Sequence, residues 1–85
     1  MEEEIGKITH HFSKIGVGVL ELSKGNLHVG DTIHIKGHTS DFYQKVDSMQ
    51  VEHSPVDIAE QGMEVGLKVE SPVREGDLVF KVTED

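Results

Sequence analysis

Apolar and polar residues alternate along several short runs of this chain. In Thr32–Lys36, Ile33 and Ile35 fall on one side and the polar residues between them fall on the other. Val65–Val69 alternates in the same way. Because successive side chains of a strand point to opposite faces, this period predicts half-buried β-strands. The predicted strands are Ile5–Phe12, Val17–Leu22, Thr32–Lys36, Phe42–Val51, Val65–Val69 and Leu78–Val82.

Turns that contain glycine separate these runs. Gly30-Asp31 stands directly before the third predicted strand, and Gly76-Asp77 stands directly before the last one. The repetition indicates two equivalent corners at which the chain begins a strand. Tight corners of this kind use backbone conformations that a Cβ atom disfavours, so we expect both glycines to adopt them.

Two stretches fit the strand pattern less well. Within Phe42–Val51 the alternation slips by one residue, which predicts a bulge near Asp47 and Ser48. Residues 54–62 begin with Ser-Pro and end with glycine, a pattern that suits a short helix. A helix of that length is marginal on its own, so we expect a turn or one loose helical turn there.

Short strands joined by glycine turns predict an all-β fold. The chain has 85 residues, which favours a single domain spanning residues 1–85. Six short strands fit either a barrel or a sandwich, and we favour a closed six-stranded β-barrel, because closure removes the strand edges that otherwise invite aggregation.

Composition restricts the possible functions. The chain has no cysteine, which excludes disulfides, thiolate metal sites and cysteine nucleophiles. No apolar run approaches the ~20 residues of a membrane helix, so we expect a cytoplasmic protein without membrane contact. Sixteen acidic residues face eight basic ones, and the formal net charge is −8. This balance, with its scattered basic residues, disfavours nucleic-acid binding at neutral pH, although RNA stays open as a partner.

The polar residues form no recognisable catalytic motif. The serines lack a nucleophile motif and no phosphate-binding loop is present, so we expect no enzyme, no nucleotide and no cofactor. His10, His11, His34 and His38 are expected to face solvent on strands and turns; a metal site is the alternative, but their spacing does not force convergence. Tyr43 follows Phe42, so at most one of the two rings faces the core, and an outward Tyr43 is a candidate for stacking on a base or a partner side chain.

The order of these motifs resembles a known domain. "HVGDTIHIKG", "VDSMQVEH", "IAEQGMEVGLKV" and "VREGDLVFKV" follow one another as in the second domain of elongation factor Tu and other translational GTPases. The resemblance covers roughly residues 5–82, almost the whole chain. A similar barrel also looks like the C-terminal domain of collagenase-like peptidases that take part in RNA modification.

The resemblance to translation factors implies a fold and a set of binding residues. It implies a closed barrel of the translation-factor domain 2 type, without the GTPase domain. In that family the barrel helps to hold the aminoacylated end of tRNA, and Gln50 and Glu64 stand at two of the matching positions. Together with Tyr43 they are the candidate binding residues; no catalytic or metal-binding residue is predicted.

The resulting hypothesis is a non-catalytic, translation elongation factor-like binding module. It would act as a protein-binding adaptor linked to translation or RNA modification, with a protein as its partner. The alternatives are a weak tRNA- or RNA-binding module and, less favoured, a histidine-based metal-binding protein.

Overall fold

The computed structural model describes residues 1–83 and contains ten β-strands and no helix in that range. The strands are β1 (Glu2–Phe12), β2 (Val17–Leu22), β3 (Leu27–His28), β4 (Thr32–Lys36), β5 (Asp41–Lys45), β6 (Met49–Val51), β7 (Ser54–Val56), β8 (Ile58–Ala59), β9 (Glu64–Lys68) and β10 (Leu78–Val82). Eight form one antiparallel sheet in the order β5-β4-β10-β1-β2-β9-β6-β7, and β3 pairs with β8. The expectation of an all-β fold is therefore confirmed. None of the described residues belongs to a helix long and apolar enough to cross a membrane.

The core lies on the inward face of the sheet. Its members are the apolar residues at alternate strand positions, together with buried residues of the connecting segments. They are Ile5, Ile8, Leu20, Leu22, Leu27, Ile33, Ile35, Val46, Met49, Ala59, Val65, Leu67, Val69, Val73 and Val79. The long strand β1 shifts register twice, between Glu4 and Gly6 against β10 and between Ile8 and His10 against β2. Such bulges bend a strand, which lets β1 curve around this core.

The predicted strand Phe42–Val51 is wrong, because the chain leaves the ladder in its middle. The inward-facing Val46 is 1% exposed and separates β5 from β6. Its N–H donates to the Asp31 carbonyl at 2.8 Å, and its carbonyl accepts from the Gly30 N–H at 2.8 Å. The slip in alternation therefore marks a crossing between different parts of the sheet and not a bulge within one strand.

The sheet is not closed, so the expectation of a closed six-stranded barrel is wrong. The ladder ends at β5 on one side and β7 on the other. At the β5 end the side chain of Gln44 reaches the residues that end β9. Its Nε2 donates to the Lys68 carbonyl at 2.8 Å, and its Oε1 accepts from the Glu70 N–H at 2.9 Å. One side-chain amide thus makes the contacts that a backbone rung would make in a closed barrel.

Residues 54–62 also differ from the expectation of a turn or one loose helical turn, because they contribute strands β7 and β8. Strand β7 pairs only with β6, so Pro55 lies at the edge of the sheet, where its missing N–H is tolerated. Val51 pairs directly with Ser54, which leaves a two-residue hairpin loop of Glu52 and His53. Their φ angles are 51° and 66°.

The two Gly-Asp corners are structurally equivalent, as expected. In the first, the Asp31 N–H donates to the His28 carbonyl at 3.1 Å, and the Asp31 carboxylate accepts from the His28 N–H at 2.9 Å. Residues Arg74–Asp77 repeat both bonds, at 3.0 and 2.9 Å. Gly30 and Gly76 have φ angles of 98° and 95°, which confirms the expected left-handed conformations. Each corner begins a strand, and those strands, β4 and β10, are neighbours.

We predict that Gly30→Val lowers the free energy of unfolding by more than about 1 kcal/mol, whereas Gly30→Asn lowers it by less than half as much. No atom lies within 4 Å of a Cβ built on Gly30, so the cost arises from the backbone conformation and not from a clash. Urea unfolding of the two variants measures both values. Equal stability of the valine and asparagine variants would contradict this account of the corner.

We also predict that Gln44→Leu lowers the free energy of unfolding by roughly 2–3 kcal/mol. Leucine keeps most of the volume but leaves the Lys68 carbonyl and the Glu70 N–H without their partner. Gln61→Leu is the matched control, because Gln61 is exposed and makes one hydrogen bond, to the Ser23 carbonyl. Urea midpoints that fall equally for the two variants would contradict the closing role of Gln44.

Candidate functional site

A shallow groove crosses the outward face of the sheet beside the tip of the β1–β2 hairpin. It has a volume of about 270 Å³, and we call it the Gly66 groove. The residues that line it are Phe12, Ile15, Val17, Val19, Gln50, Glu52, His53, Glu64 and Gly66. A second depression of about 200 Å³ adjoins it and shares Ile15, Val17, Gln50 and Gly66.

The floor of the groove exists because Gly66 has no side chain. In the ladder, Val19 pairs with Gly66 and Gly66 pairs with Gln50, so these three positions form one row across β2, β9 and β6. A Cβ at Gly66 would lie 3.6 Å from Val17 Cγ1, an ordinary contact distance. A Cβ atom at position 66 would therefore not clash with its neighbours. The effect of glycine is to leave a gap between the side chains of Val19 and Gln50.

One wall of the groove is unusually apolar for a surface. The side chains of Phe12 and Ile15, at the hairpin tip, are 52% and 66% exposed. Val17 and Val19, next to them, are half-buried. Exposed apolar side chains that adjoin one another around a depression are typical of surfaces that contact another molecule. The wall is the strongest indication of a binding surface in the described part of the chain.

The groove and the depression beside it carry opposite charge. Glu64 projects beside Glu21, its direct partner in the β2–β9 ladder, and Glu52 lines the same end from the hairpin loop. Carboxylates directly opposite each other repel, so this pair is unfavourable in the isolated chain. Lys68 lines the adjoining depression at the other end. The groove thus has an acidic end and an apolar centre, and a basic residue lies in the adjoining depression.

Two of the three candidate binding residues lie together in this groove. Gln50 and Glu64 both line it, although they lie on different strands. Tyr43 lies apart from them on β5, at the end of the sheet, and does not contribute to the groove. The sequence analysis did not identify Gly66 as part of a site. The signal was available, because Gly66 lies between the inward-facing Val65 and Leu67 and therefore belongs to the outward face of the strand. No sequence pattern singles out the hairpin tip.

Tyr43 belongs instead to a polar cluster around His34. His34 is only 8% exposed, so the expectation that it faces solvent is wrong. Its Nδ1 lies 2.7 Å from a Glu2 carboxylate oxygen, and its Nε2 lies 2.5 Å from Oδ1 of Asp41. The ring of Tyr43 stacks on the imidazole at a centroid distance of 4.1 Å, and its hydroxyl donates to the other Glu2 oxygen at 2.6 Å.

The charges of this cluster reinforce one another. The hydrogen bond to Asp41, and after it the one to Glu2, raises the pKa of His34 against the opposing effect of burial. The hydrogen bond to His34 lowers the pKa of Asp41, and those from Tyr43 and His34 lower the pKa of Glu2. Both ring nitrogens are occupied, so His34 holds β1, β4 and β5 together and is not placed to act as a general base. Among residues 1–83 no group of three or more metal-ligating side chains converges.

A larger polar cleft of about 650 Å³ lies between the hairpin tip, the β4–β5 turn and the segment before β10. It gathers several serines, including Ser13, Ser40 and Ser71, together with His11 and Arg74. The Ser40 hydroxyl donates to the Pro72 carbonyl at 3.4 Å, which is a structural contact between the β4–β5 turn and the segment before β10. This cleft carries no arrangement that indicates a particular reaction.

Comparison with known proteins points away from translation factors. The chain is 42% identical over 82 residues to MJ0090, an uncharacterized protease of Methanocaldococcus jannaschii, a match that covers 95% of this chain and 20% of the protease. It is 35% identical over 78 residues to a collagenase of Porphyromonas gingivalis, covering 91% of this chain and 22% of the collagenase. The chain therefore spans about a fifth of the length of the curated relatives that it matches. No family model matches the sequence.

A similar fold has been solved. It is the C-terminal domain of a Geobacillus thermoleovorans protein named as a U32 peptidase, with a TM-score of 0.87 over 95% of this chain and 93% of that one. A selenomethionine variant of the same domain gives a TM-score of 0.85 over 91% of this chain and 96% of that one. The sequence identity is 19% in both cases, so this likeness shows the fold alone.

These matches overturn three expectations. The identification as a translation elongation factor-like protein resembling domain 2 of elongation factor Tu is wrong, because the relatives are a protease and collagenases and the solved fold comes from a U32 peptidase. The function assigned on that basis is therefore also wrong. That function was a translation-factor-like binding module, with RNA binding as its alternative. The expectation that the chain is not an enzyme is also contradicted, because the relatives are named as a protease and collagenases. The motifs behind the resemblance are turns and core alternation, which specify a sheet and not a function.

The His34 cluster predicts a pH dependence of stability. Because the pKa of His34 is raised in the folded state, its contribution is fully present below the ordinary value of 6.5 and is lost as pH rises through the folded pKa. We therefore expect the stability difference between the unmodified protein and His34→Gln to be largest near pH 6 and to shrink as the pH rises above 6.5. Urea unfolding across this range measures the difference.

His38→Gln is the matched control, since His38 is exposed and lies two residues beyond β4. Its stability should follow that of the unmodified protein at every pH. A stability difference for His34→Gln that stays constant, or grows, with rising pH would show that His34 is not held as a cation.

Proposed function

We propose that this chain forms the C-terminal-type β domain of a U32 peptidase and supports peptide hydrolysis by a catalytic portion that lies outside these 85 residues. The observation that carries the proposal is the 42% identity to MJ0090 over 95% of this chain. The chain matches only 20% of that protease, so the remaining four-fifths leave ample room for a catalytic portion.

The fold supports a role as a separate unit. The Geobacillus domain was solved alone, and this chain covers 93% of it, which supports a role as a separate structural unit. The present chain has its own buried core and its own closing contacts through Gln44. A domain of this kind can be joined to a catalytic portion without depending on it for folding.

The outward face supplies the means of contact. The Gly66 groove and the exposed hairpin tip with Phe12 and Ile15 present apolar area that a protein chain can cover. In a peptidase such a surface serves to hold polypeptide near the catalytic portion, which raises its local concentration there. The protein partner that we infer is therefore the polypeptide substrate.

The proposal predicts the behaviour of a chimeric collagenase. Deleting the 78-residue matching segment of the Porphyromonas gingivalis collagenase should reduce collagen hydrolysis by on the order of a hundredfold, the effect of poor substrate positioning. Replacing that segment with this chain should restore most of the lost activity. The rate of release of soluble fragments from collagen measures both effects.

An unrelated β domain of similar length, inserted in place of the deleted segment, is the control. It tests whether any folded domain at that position restores hydrolysis. If the deletion leaves hydrolysis unchanged, or if the unrelated domain restores it as well as this chain does, the proposed function is wrong. Gel filtration of each chimera shows whether a loss of activity reflects misfolding.

A further inference from the structure

We propose that the Gly66 groove binds an extended polypeptide segment that places an apolar side chain over Gly66 and a lysine or arginine side chain beside Glu64. The inference rests on the proposed function, because a peptidase domain meets extended polypeptide chains. It goes further by naming the surface, the chemistry of the segment and its register.

The spacing of the groove fits an extended chain. Gly66 and Glu64 are two residues apart on β9 and project from the same face, so they are separated by roughly 6.6–6.8 Å along the strand. Side chains two residues apart in an extended ligand have the same separation. A ligand that runs along β9 can therefore place one of its side chains in the open position above Gly66. The ligand side chain two residues away then lies beside Glu64.

The apolar centre selects the first of these side chains. Val17, Val19 and Ile15 surround the open position with aliphatic groups, and Ile15 is 66% exposed in the free protein. An apolar side chain placed there removes its own surface and theirs from water, which is favourable in proportion to the area covered. A polar side chain would gain less there, because Gln50 is the one hydrogen-bonding side chain in the row of Gly66 and the other neighbours are aliphatic.

The charges of the groove select the second side chain and set the direction. Glu64, Glu21 and Glu52 gather at one end, where a cation would relieve the repulsion between facing carboxylates. Lys68, in the adjoining depression at the other end, repels a cation. A ligand with one apolar and one basic side chain therefore has a single favourable register.

The hairpin loop that carries Glu52 agrees with this view. Glu52 and His53 have positive φ angles of 51° and 66°, where a two-residue hairpin usually has Asn-Gly. Residues with unfavourable backbone conformations concentrate at binding sites, where the side chain has a use. Both residues line the groove, and Glu52 adds its carboxylate to the acidic end.

The test is a titration of the ¹⁵N-labelled chain with the peptide acetyl-Ala-Thr-Leu-Thr-Arg-Thr-amide, followed by amide chemical shifts. We expect the largest shifts at Val19, Gln50 and Gly66. The same peptide with glutamine in place of arginine should bind about threefold more weakly, as expected for loss of an exposed ion pair.

Variants of the chain locate the site. Gly66→Leu should abolish binding by filling the groove, and Gly66→Ala should weaken it less. Glu64→Lys should weaken binding of the arginine peptide about tenfold, since attraction becomes repulsion. Glu75→Lys, an equal charge change at an exposed residue outside the groove, should leave the affinity within about twofold. A dispersed spectrum of each variant shows that it is folded.

Several results would overturn the inference. These are an absence of shifts at about 5 mM peptide, shifts that map elsewhere, or equal effects of Glu64→Lys and Glu75→Lys. Concentration-dependent shifts of the groove amides without peptide would show that a second copy of the chain occupies it instead. The collagenase chimera separates this inference from the proposed function: if the chimera with Gly66→Leu stays fully active, the groove proposal fails and the domain proposal stands.

Discussion

The structure depends on one constraint, which is that a single long sheet must wrap one small core. Every major strand turns one face inward, and the sheet must curve until β5 approaches the end of β9. The Gln44 amide holds β5 to the end of β9 where no backbone ladder forms. The two Gly-Asp corners stand at the starts of β4 and β10, which are neighbouring strands. Each corner is held by its own aspartate, so the path of the chain into the sheet is defined at both places.

The same constraint explains why polar chemistry is used for structure at His34. A histidine on the outward face of β4 would normally meet water, but Glu2 on β1 and Asp41 and Tyr43 on β5 cover it. The two carboxylates raise its pKa and occupy both ring nitrogens. The cluster therefore joins β1 to β4 and β5 electrostatically, while the Gly66 groove on the far side of β1 stays free for contact with another molecule.

Sequence alone predicted much of the sheet, because alternation reports burial directly. The bounds of Val17–Leu22, Thr32–Lys36 and Leu78–Val82 agree with the structure. Alternation failed in Phe42–Val51, because a one-residue slip looks the same whether a strand bulges or the chain crosses to another part of the sheet.

The candidate site was predicted only in part. Gln50 and Glu64 lie together in the groove although they were chosen through a resemblance that proved wrong. Strand parity placed His34 outward, but parity cannot show which long-range carboxylates cover it. The hairpin tip with its exposed apolar side chains follows a turn, where no periodicity applies. Turn order led to the wrong family, because turn residues report the backbone conformation that a sheet needs and not what the sheet binds.

We propose that the apolar wall of the groove touches polypeptide during hydrolysis, and photo-crosslinking is the most direct test of this contact. Benzoylphenylalanine would replace Ile15 in the collagenase chimera, which would then be irradiated with denatured collagen. Ile58, 51% exposed and outside the groove, is the control position. The account predicts a covalent adduct with collagen from position 15 and little from position 58. Equal adducts from both positions, or none from position 15, would contradict it.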